Sequence, residues 1–234
     1  MADDPLRDFD PFDIFDAEAA RLDRFFSGLD EAGWARPSRA EGWSVRDVLG
    51  HLAGEELYNQ ACLDGTVPEL VAWMSEEGIS GYDDFNEWCV RQRASLPVEE
   101  VLREWRDKNG DTRRRMRELG RDATLKTMAG PYPVGHQTFH YDSEYATHAD
   151  DVGAPVAEDE AEGRTLWRVA VGRFALAERD SDVQVELTGE ELWVSSGGVN
   201  ASLSAPRFVA ATVGRLPAGD GLDPHLASAL RCLA

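Results

Sequence analysis

Three histidines and one glutamate recur at intervals of four residues near the middle of the chain. They are His136, His140, Glu144 and His148. Each step of four residues along an α-helix turns by about 40°, so neighbours in this series lie on one face, one turn apart. Glu144 and His148 can therefore bind the same cation, whereas His136 and His148 are about 120° apart and cannot both be ligands unless the helix bends. A third ligand must come from His140 or from another helix.

His51 is the obvious candidate on another helix. It shares a stripe with Val48, Leu52 and Glu55 that we expect to face the interior of a helical bundle. A single histidine in such a place is more often a hydrogen-bonded core residue, and a Glu/His pair four residues apart can simply stabilise its helix. Three ligands from two helices would leave one tetrahedral position open for water or substrate, which is the pattern of catalytic zinc.

The helices that must position these residues follow from apolar periodicity. A first amphipathic helix is predicted over residues 11–30. Ser44 and Asp47 have the form of a capping box that begins the helix carrying His51, which we expect to run to about Cys62. The same reasoning predicts an up-and-down bundle completed by helices over residues 68–77, 83–94, 97–120 and 136–151, with a loop over 121–135.

A change of composition at residues 152–163 predicts a linker between two domains. This segment, VGAPVAEDEAEG, combines small, proline and acidic residues without any period. We therefore expect a mainly α protein with a helical bundle over residues 1–151 and a small α+β domain over residues 164–234. The predicted elements of the second domain are a helix around residues 165–179, strands over 183–187, 192–194 and 199–203, and helices over 206–216 and 224–233.

Composition excludes several other classes of function. With 44 acidic and 24 basic residues the net charge is −20, so a nucleic-acid partner is not expected. The acidic start MADDPLRDFD lacks the features of an export signal, and no apolar run approaches the roughly 20 residues of a membrane span, which predicts a soluble, cytoplasmic protein without a membrane partner. The three cysteines, Cys62, Cys89 and Cys232, fit neither a disulfide framework nor a CxxC metal site.

Two motifs resemble a known family. The stretch GWSVRDVLGHLAG at residues 42–54, joined to Glu144-x-x-x-His148-x-x-Asp151, is similar to the mycothiol-dependent maleylpyruvate isomerases and their relatives in the DinB-like metalloprotein superfamily. The resemblance implies a DinB-like four-helix bundle followed by a small α+β domain. It also implies a divalent metal, typically zinc, bound by His51, Glu144 and His148.

The resemblance further implies mycothiol as a thiol cosubstrate and a small-molecule substrate. In the implied reaction a metal-bound thiolate adds to the cis double bond of maleylpyruvate, the new single bond rotates, and elimination yields fumarylpyruvate. The family also places an arginine of the C-terminal domain at the site, for which Arg207 and Arg215 are candidates by position, and we take Arg215 with His140 as the expected catalytic residues. Asp151 is a candidate to orient a ligand imidazole, although a helix-terminal aspartate is equally often just solvated.

Several alternatives stay open at this stage. His140 could be a proton donor, a substrate contact, an alternative ligand or a surface residue, and Trp43 and Trp34 are predicted to be packing residues. The same site could instead transfer mycothiol to another electrophile, or the chain could be a non-catalytic metal-binding or regulatory module. The oligomeric state expected is a monomer or a dimer.

Overall fold

A computed structural model describes residues 4–233 of the chain. They divide into two compact units, one of residues 11–155 and one that joins residues 4–10 to residues 156–233. Within this described range no helix combines the length and the apolar character needed to cross a bilayer. The expected fold class, mainly α with a small α+β unit in the C-terminal region, is confirmed.

Helices dominate the first unit. Its long helices are α1 (Pro11–Ser27), α3 (Val45–Asp64), α6 (Val98–Leu119) and α7 (Val134–Val152). Its shorter elements are α2 (Glu31–Ala35), α4 (Val67–Glu76), α5 (Gly81–Arg93), β1 (Thr124–Thr127) and β2 (Gly130–Pro133).

The core of this unit lies between the four long helices. Phe15, Leu52, Trp105 and Tyr145 are among its fully buried side chains. Helix α3 packs most extensively against α6 and also against α5, and α7 packs most extensively against α1. By contrast, α3 and α7 meet over only a few residues, although they carry the candidate ligands His51, Glu144 and His148.

Local chemistry fixes the start and the packing of α3. The predicted capping box is present: the Ser44 amide donates to Asp47 Oδ2 at 2.8 Å, and the Asp47 amide donates to Ser44 Oγ at 3.3 Å. Gly54 brings α5 close, because a Cβ at this position would lie 2.3 Å from Cys89 Cβ and 2.6 Å from Cys89 Sγ. The absent side chain of Gly54 is thus what permits α5 to lie against α3 here.

The segment 121–135, predicted as a loop, contains an antiparallel hairpin instead. Strand β1 pairs with β2 in a register that places Leu125 opposite Tyr132. Exposed and buried residues alternate along β1, with Leu125 and Thr127 buried. This two-residue period was too short to stand out in the sequence beside Gly130 and the prolines of β2. Helix α7 follows immediately, at Val134 rather than at the predicted His136.

The second unit packs helices against a small sheet. Its three strands form one antiparallel sheet in the order β3-β4-β5, and the core beside the sheet includes Leu192, Val194, Leu203 and Phe208. Its elements are α8 (Glu158–Glu178), β3 (Gln184–Thr188), β4 (Glu191–Ser196), β5 (Val199–Ser204), α9 (Ala205–Thr212) and α10 (Pro224–Leu230).

Helix α8 begins inside the segment 152–163 that composition predicted to be a linker. It starts at Glu158, seven residues before the predicted Thr165. Glu158, Asp159 and Glu160 form its first turn, where negative charge is favourable because the helix dipole is positive at that end. The acidic run that suggested a linker is therefore the start of a helix.

Candidate metal centre

The structure brings His51, Glu144 and His148 together. His51 lies in α3, and Glu144 and His148 lie one turn apart in α7. One potential ligand atom from each of the three lies within 4.8 Å of the other two. His51 Nε2 is 3.1 Å from Glu144 Oε1, and the two imidazole rings have centroids 4.9 Å apart. We call these three side chains the trio.

The trio is unevenly buried. His51 and His148 are 2% and 8% exposed, whereas the Glu144 side chain is 34% exposed. The imidazoles are therefore enclosed by the bundle, and the carboxylate lies on the side that solvent reaches. An external ligand would approach from the Glu144 side.

The charge states of His51 and Glu144 suit a cation. Burial lowers the pKa of His51, so this imidazole is neutral at neutral pH and keeps a lone pair for a metal. Burial by itself would raise the pKa of Glu144, but the hydrogen bond of His51, its positive charge when it is protonated, and a hydrogen bond from Glu55 hold the pKa at about 2. A neutral imidazole beside an ionised carboxylate is the combination that divalent zinc binds.

Asp151 lies where an orienting carboxylate would lie. It is one turn beyond His148 in α7, and its Oδ2 is 3.3 Å from His148 Nδ1. A carboxylate beside one ring nitrogen of a ligand histidine commonly fixes the ring and leaves the other nitrogen for the metal. The donor set and its surroundings therefore fit a divalent cation. That the trio binds one stays a prediction.

Glu55 is a fourth polar group at the trio to which sequence reasoning gave no role. It lies one turn after His51 in α3, with Oε2 3.7 Å from His51 Nε2. Burial, and then the charge of Glu144, raise the pKa of Glu55 well above its usual value, so its protonated carboxyl hydrogen-bonds the Glu144 carboxylate. The sequence indicated Glu55 only by its spacing of four residues from His51, on a stripe whose other members, Val48 and Leu52, are apolar.

Trp43 forms one wall of the site. Its ring centroid is 5.0 Å from that of His51 and 6.3 Å from that of His148, on which it stacks at 27°. The indole Nε1 donates to Glu87 Oε1 of α5 at 2.8 Å, which fixes the ring. Trp43 was predicted from the sequence to be a packing residue, and its contact with both imidazoles was not predicted. Trp34, in contrast, stacks on Phe26 as a packing residue.

The remaining candidates have other surroundings. His140, half-buried one turn before Glu144, has its Nε2 3.1 Å from the Tyr132 hydroxyl of β2 and is not one of the trio. Arg207 forms a two-pronged ion pair with Asp220, with an Nη2 to Oδ1 distance of 2.6 Å. Arg215 follows α9 in the second unit and donates to the Val213 carbonyl. Catalytic roles for His140 and Arg215 stay predictions.

Fold and site together define the class of protein: a helical bundle in which two helices bring an imidazole–carboxylate–imidazole group together. Residues 15–153 match the family described as mycothiol maleylpyruvate isomerase N-terminal domain, and the chain belongs to this family. It is thus a member of a family of enzymes named for a thiol-dependent isomerase, as the sequence motifs suggested.

Two solved structures share the fold. A crystal structure of mycothiol-dependent maleylpyruvate isomerase has a TM-score of 0.60 at 15% identity, covering 90% of this chain and 89% of that chain. A crystal structure of a histidine-to-alanine mutant of mycothiol-dependent maleylpyruvate isomerase gives 0.59 at 13% identity, covering 88% of each chain. Comparison with curated proteins gives no significant match.

Proposed function

We propose that this chain is a zinc- and mycothiol-dependent cis–trans isomerase that converts maleylpyruvate to fumarylpyruvate. The observation that carries the proposal is the meeting of His51 with Glu144, 93 positions apart in the sequence, inside the region that matches the family. Membership of the family supports the thiol and the substrate, and the donor set of the trio supports zinc.

The bound groups would supply the reactive chemistry. Zinc lowers the pKa of a thiol that binds to it, and the resulting thiolate is a nucleophile able to add reversibly to an electron-poor double bond.

The chain's own cysteines do not offer an alternative nucleophile. Burial raises the pKa of the Cys62 thiol to about 11 and of the Cys89 and Cys232 thiols to about 12. All three are buried and remain protonated at neutral pH. A thiol mechanism in this chain therefore requires a thiol from outside, which agrees with the dependence on mycothiol.

The residues of the chain have distinct tasks in this proposal. His51 and His148 present ring nitrogens from enclosed positions, and Glu144 supplies the negative charge that offsets a divalent cation. Trp43 covers both imidazoles and excludes water from that side. The protonated carboxyl of Glu55 holds the Glu144 carboxylate by a hydrogen bond. The exposed edge of Glu144 leaves an approach for thiol and substrate.

The test combines elemental analysis with a thiol-dependent assay on maleylpyruvate. We expect about one zinc per chain in the purified protein. His51→Ala and Glu144→Gln should lose both metal and turnover, because each removes one of three ligands. His225→Ala is the matched control, since His225 is an exposed histidine of the second unit and should change neither.

Two results would contradict the proposal. Full activity in protein freed of metal would remove the metal from the mechanism. A product heavier than the substrate by the mass of the thiol would identify a transferase, because an isomerase returns a product of the substrate's mass.

A further inference from the structure

A buried polar network crosses the bundle core and includes residues of α3 and α7, the two helices that carry the trio. Its members, here called the core network, are Glu56 of α3, Asn109 and Thr112 of α6, and Tyr145 of α7. Each is at most 1% exposed. A buried carboxylate is costly unless donors surround it, so its position specifies where those donors must lie.

The hydrogen bonds of the core network join three helices. Asn109 Nδ2 donates to Glu56 Oε1 at 2.9 Å, and Thr112 Oγ1 donates to Glu56 Oε2 at 2.6 Å. The Tyr145 hydroxyl donates to Glu56 Oε1 at 3.1 Å and accepts from Asn109 Nδ2 at 2.8 Å. Glu56 is thus bonded to α6 and α7 at the same level of the bundle.

The Tyr145 ring is held as firmly as its hydroxyl. Trp105 Nε1 donates to the hydroxyl at 3.0 Å, and Phe15 packs edge-on against the ring with centroids 4.9 Å apart. The network also reaches α1, because Asn109 Oδ1 accepts from Arg113, which pairs with Asp16. All four long helices therefore meet at this point.

Two members of the core network, Glu56 and Tyr145, lie close to the trio along the chain. Glu56 lies five residues after His51 in α3, and Tyr145 directly follows Glu144 in α7. Helices α3 and α7 pack mainly against other helices and touch each other little. Their mutual register, and with it the distance from His51 to Glu144, therefore depends on an intermediary between them.

We propose that the core network is this intermediary: Glu56 and Tyr145 are positioning residues that hold His51 and the Glu144/His148 pair at ligand distance from one cation. The inference rests on the proposed metal function and adds the part of the chain that preorganises the site. Its members do not touch the metal, so they act through the placement of α3 against α7.

The test measures cobalt(II) binding by visible absorption, with Tyr145→Phe as the main variant. This change removes the hydroxyl and keeps the ring packing. We expect it to weaken cobalt affinity about tenfold, the lower end of the range for residues that support metal ligands, and to shift the ligand-field bands. Glu56→Leu should lose at least as much, and Glu56→Gln, which keeps an acceptor, should lose less.

Thr138→Val is the matched control. Thr138 is also fully buried in α7, and its hydroxyl donates to the Val134 carbonyl of the same helix at 2.8 Å and to Met116 Sδ of α6 at 3.6 Å. Neither bond reaches α3, the helix that carries His51. Urea unfolding of each metal-free variant gives its loss of stability. We expect Thr138→Val to keep wild-type cobalt affinity and an unchanged spectrum even where its loss of stability equals that of Tyr145→Phe.

The outcomes separate the two proposals. If wild-type protein binds cobalt and Tyr145→Phe and Glu56→Leu bind it equally well, the positioning role is wrong while the metal site stands. If Thr138→Val loses as much affinity as Tyr145→Phe, the effect is one of general stability and the inference is again wrong. If wild-type protein binds neither cobalt nor zinc, the proposed function itself fails, and the inference with it.

Discussion

Two glycines one turn apart in α3 should respond oppositely to the same substitution. A Cβ at Gly54 would lie 2.3 Å from Cys89 Cβ and 2.8 Å from Arg93 Nη1. A Cβ at Gly50 would meet its nearest atom, Arg93 Cβ, at an ordinary 3.6 Å. Both glycines are buried in the helix interior, so the difference between them lies in the space beside each.

The magnitudes follow from two opposing effects. Replacing glycine by alanine inside a helix favours folding by about 1 kcal/mol. At Gly50 this gain should remain largely intact, at about 0.5–1 kcal/mol. At Gly54 the overlap with a Cβ atom, which cannot rotate away, adds an overpacking cost of about 3 kcal/mol. Gly54→Ala should therefore be destabilised by about 2 kcal/mol, and the two variants should differ by about 3 kcal/mol.

Urea unfolding followed by circular dichroism measures this difference. With a denaturant dependence of about 2–3 kcal/mol per molar, the two midpoints should be separated by about 1 M or more. Gly54→Ala and Gly50→Ala are each other's control, since they share helix, residue type and burial. Equal midpoints would refute the close approach of α5 to α3 at Gly54.

Three further predictions concern the site and the thiols. Burial raises the pKa values of the Cys62, Cys89 and Cys232 thiols to about 11 or 12. Their alkylation at pH 8 should therefore be slow in the folded protein and rapid in urea. Fast labelling of the folded protein would contradict their burial. Cobalt binding should quench the fluorescence of Trp43, because its ring stacks on His148. The quenching should be largely lost in Trp43→Phe. Equal quenching in that variant would show that the metal binds elsewhere. Burial and the Glu144 charge raise the pKa of Glu55 well above 4.5, so the folded chain retains a proton that the unfolded chain releases. The stability due to this group is complete below pH 4.5 and is lost as the pH rises towards the folded pKa. Glu55→Gln keeps the shape of a protonated glutamate at every pH. The metal-free variant should therefore resist urea better than wild type at pH 7 and equally well below pH 4.5. A constant difference across this range would show that Glu55 holds no extra proton.

Local and periodic features were predictable from the sequence. The capping box at Ser44 and Asp47 fixes the start of α3 through two hydrogen bonds within three residues, so its signal is contained in a short stretch. The four-residue spacing of Glu144 and His148 places both side chains on the same face of a helix, one turn apart. The stripe carrying His51 indicated an inward face, and the structure brings that face to α7 at the predicted ligands.

Features that depend on tertiary contacts were not predictable. Nothing around Trp43 in the sequence shows that Glu87, 44 residues away, holds its indole over the trio. The acidic start of α8 has the composition of a linker. That it forms the first turn of a helix depends on the residues that follow it. In the sequence Glu56 is an ordinary charged residue of a helix. Its role becomes visible only in the structure, where three donors from α6 and α7 surround its carboxylate.

The long separation between His51 and Glu144 has a consequence for how the protein is made. A growing polypeptide leaves the ribosome with α3 well before α7 has been synthesised, so a nascent chain that ends before His148 lacks part of the trio. Under the proposed function, metal loading would then come after translation has passed His148 and α7 has packed into the bundle. The ion acquired would then be supplied by the surrounding pool to an already formed site, and the abundance of competing metals, as well as the intrinsic preference of the donors, would decide its identity.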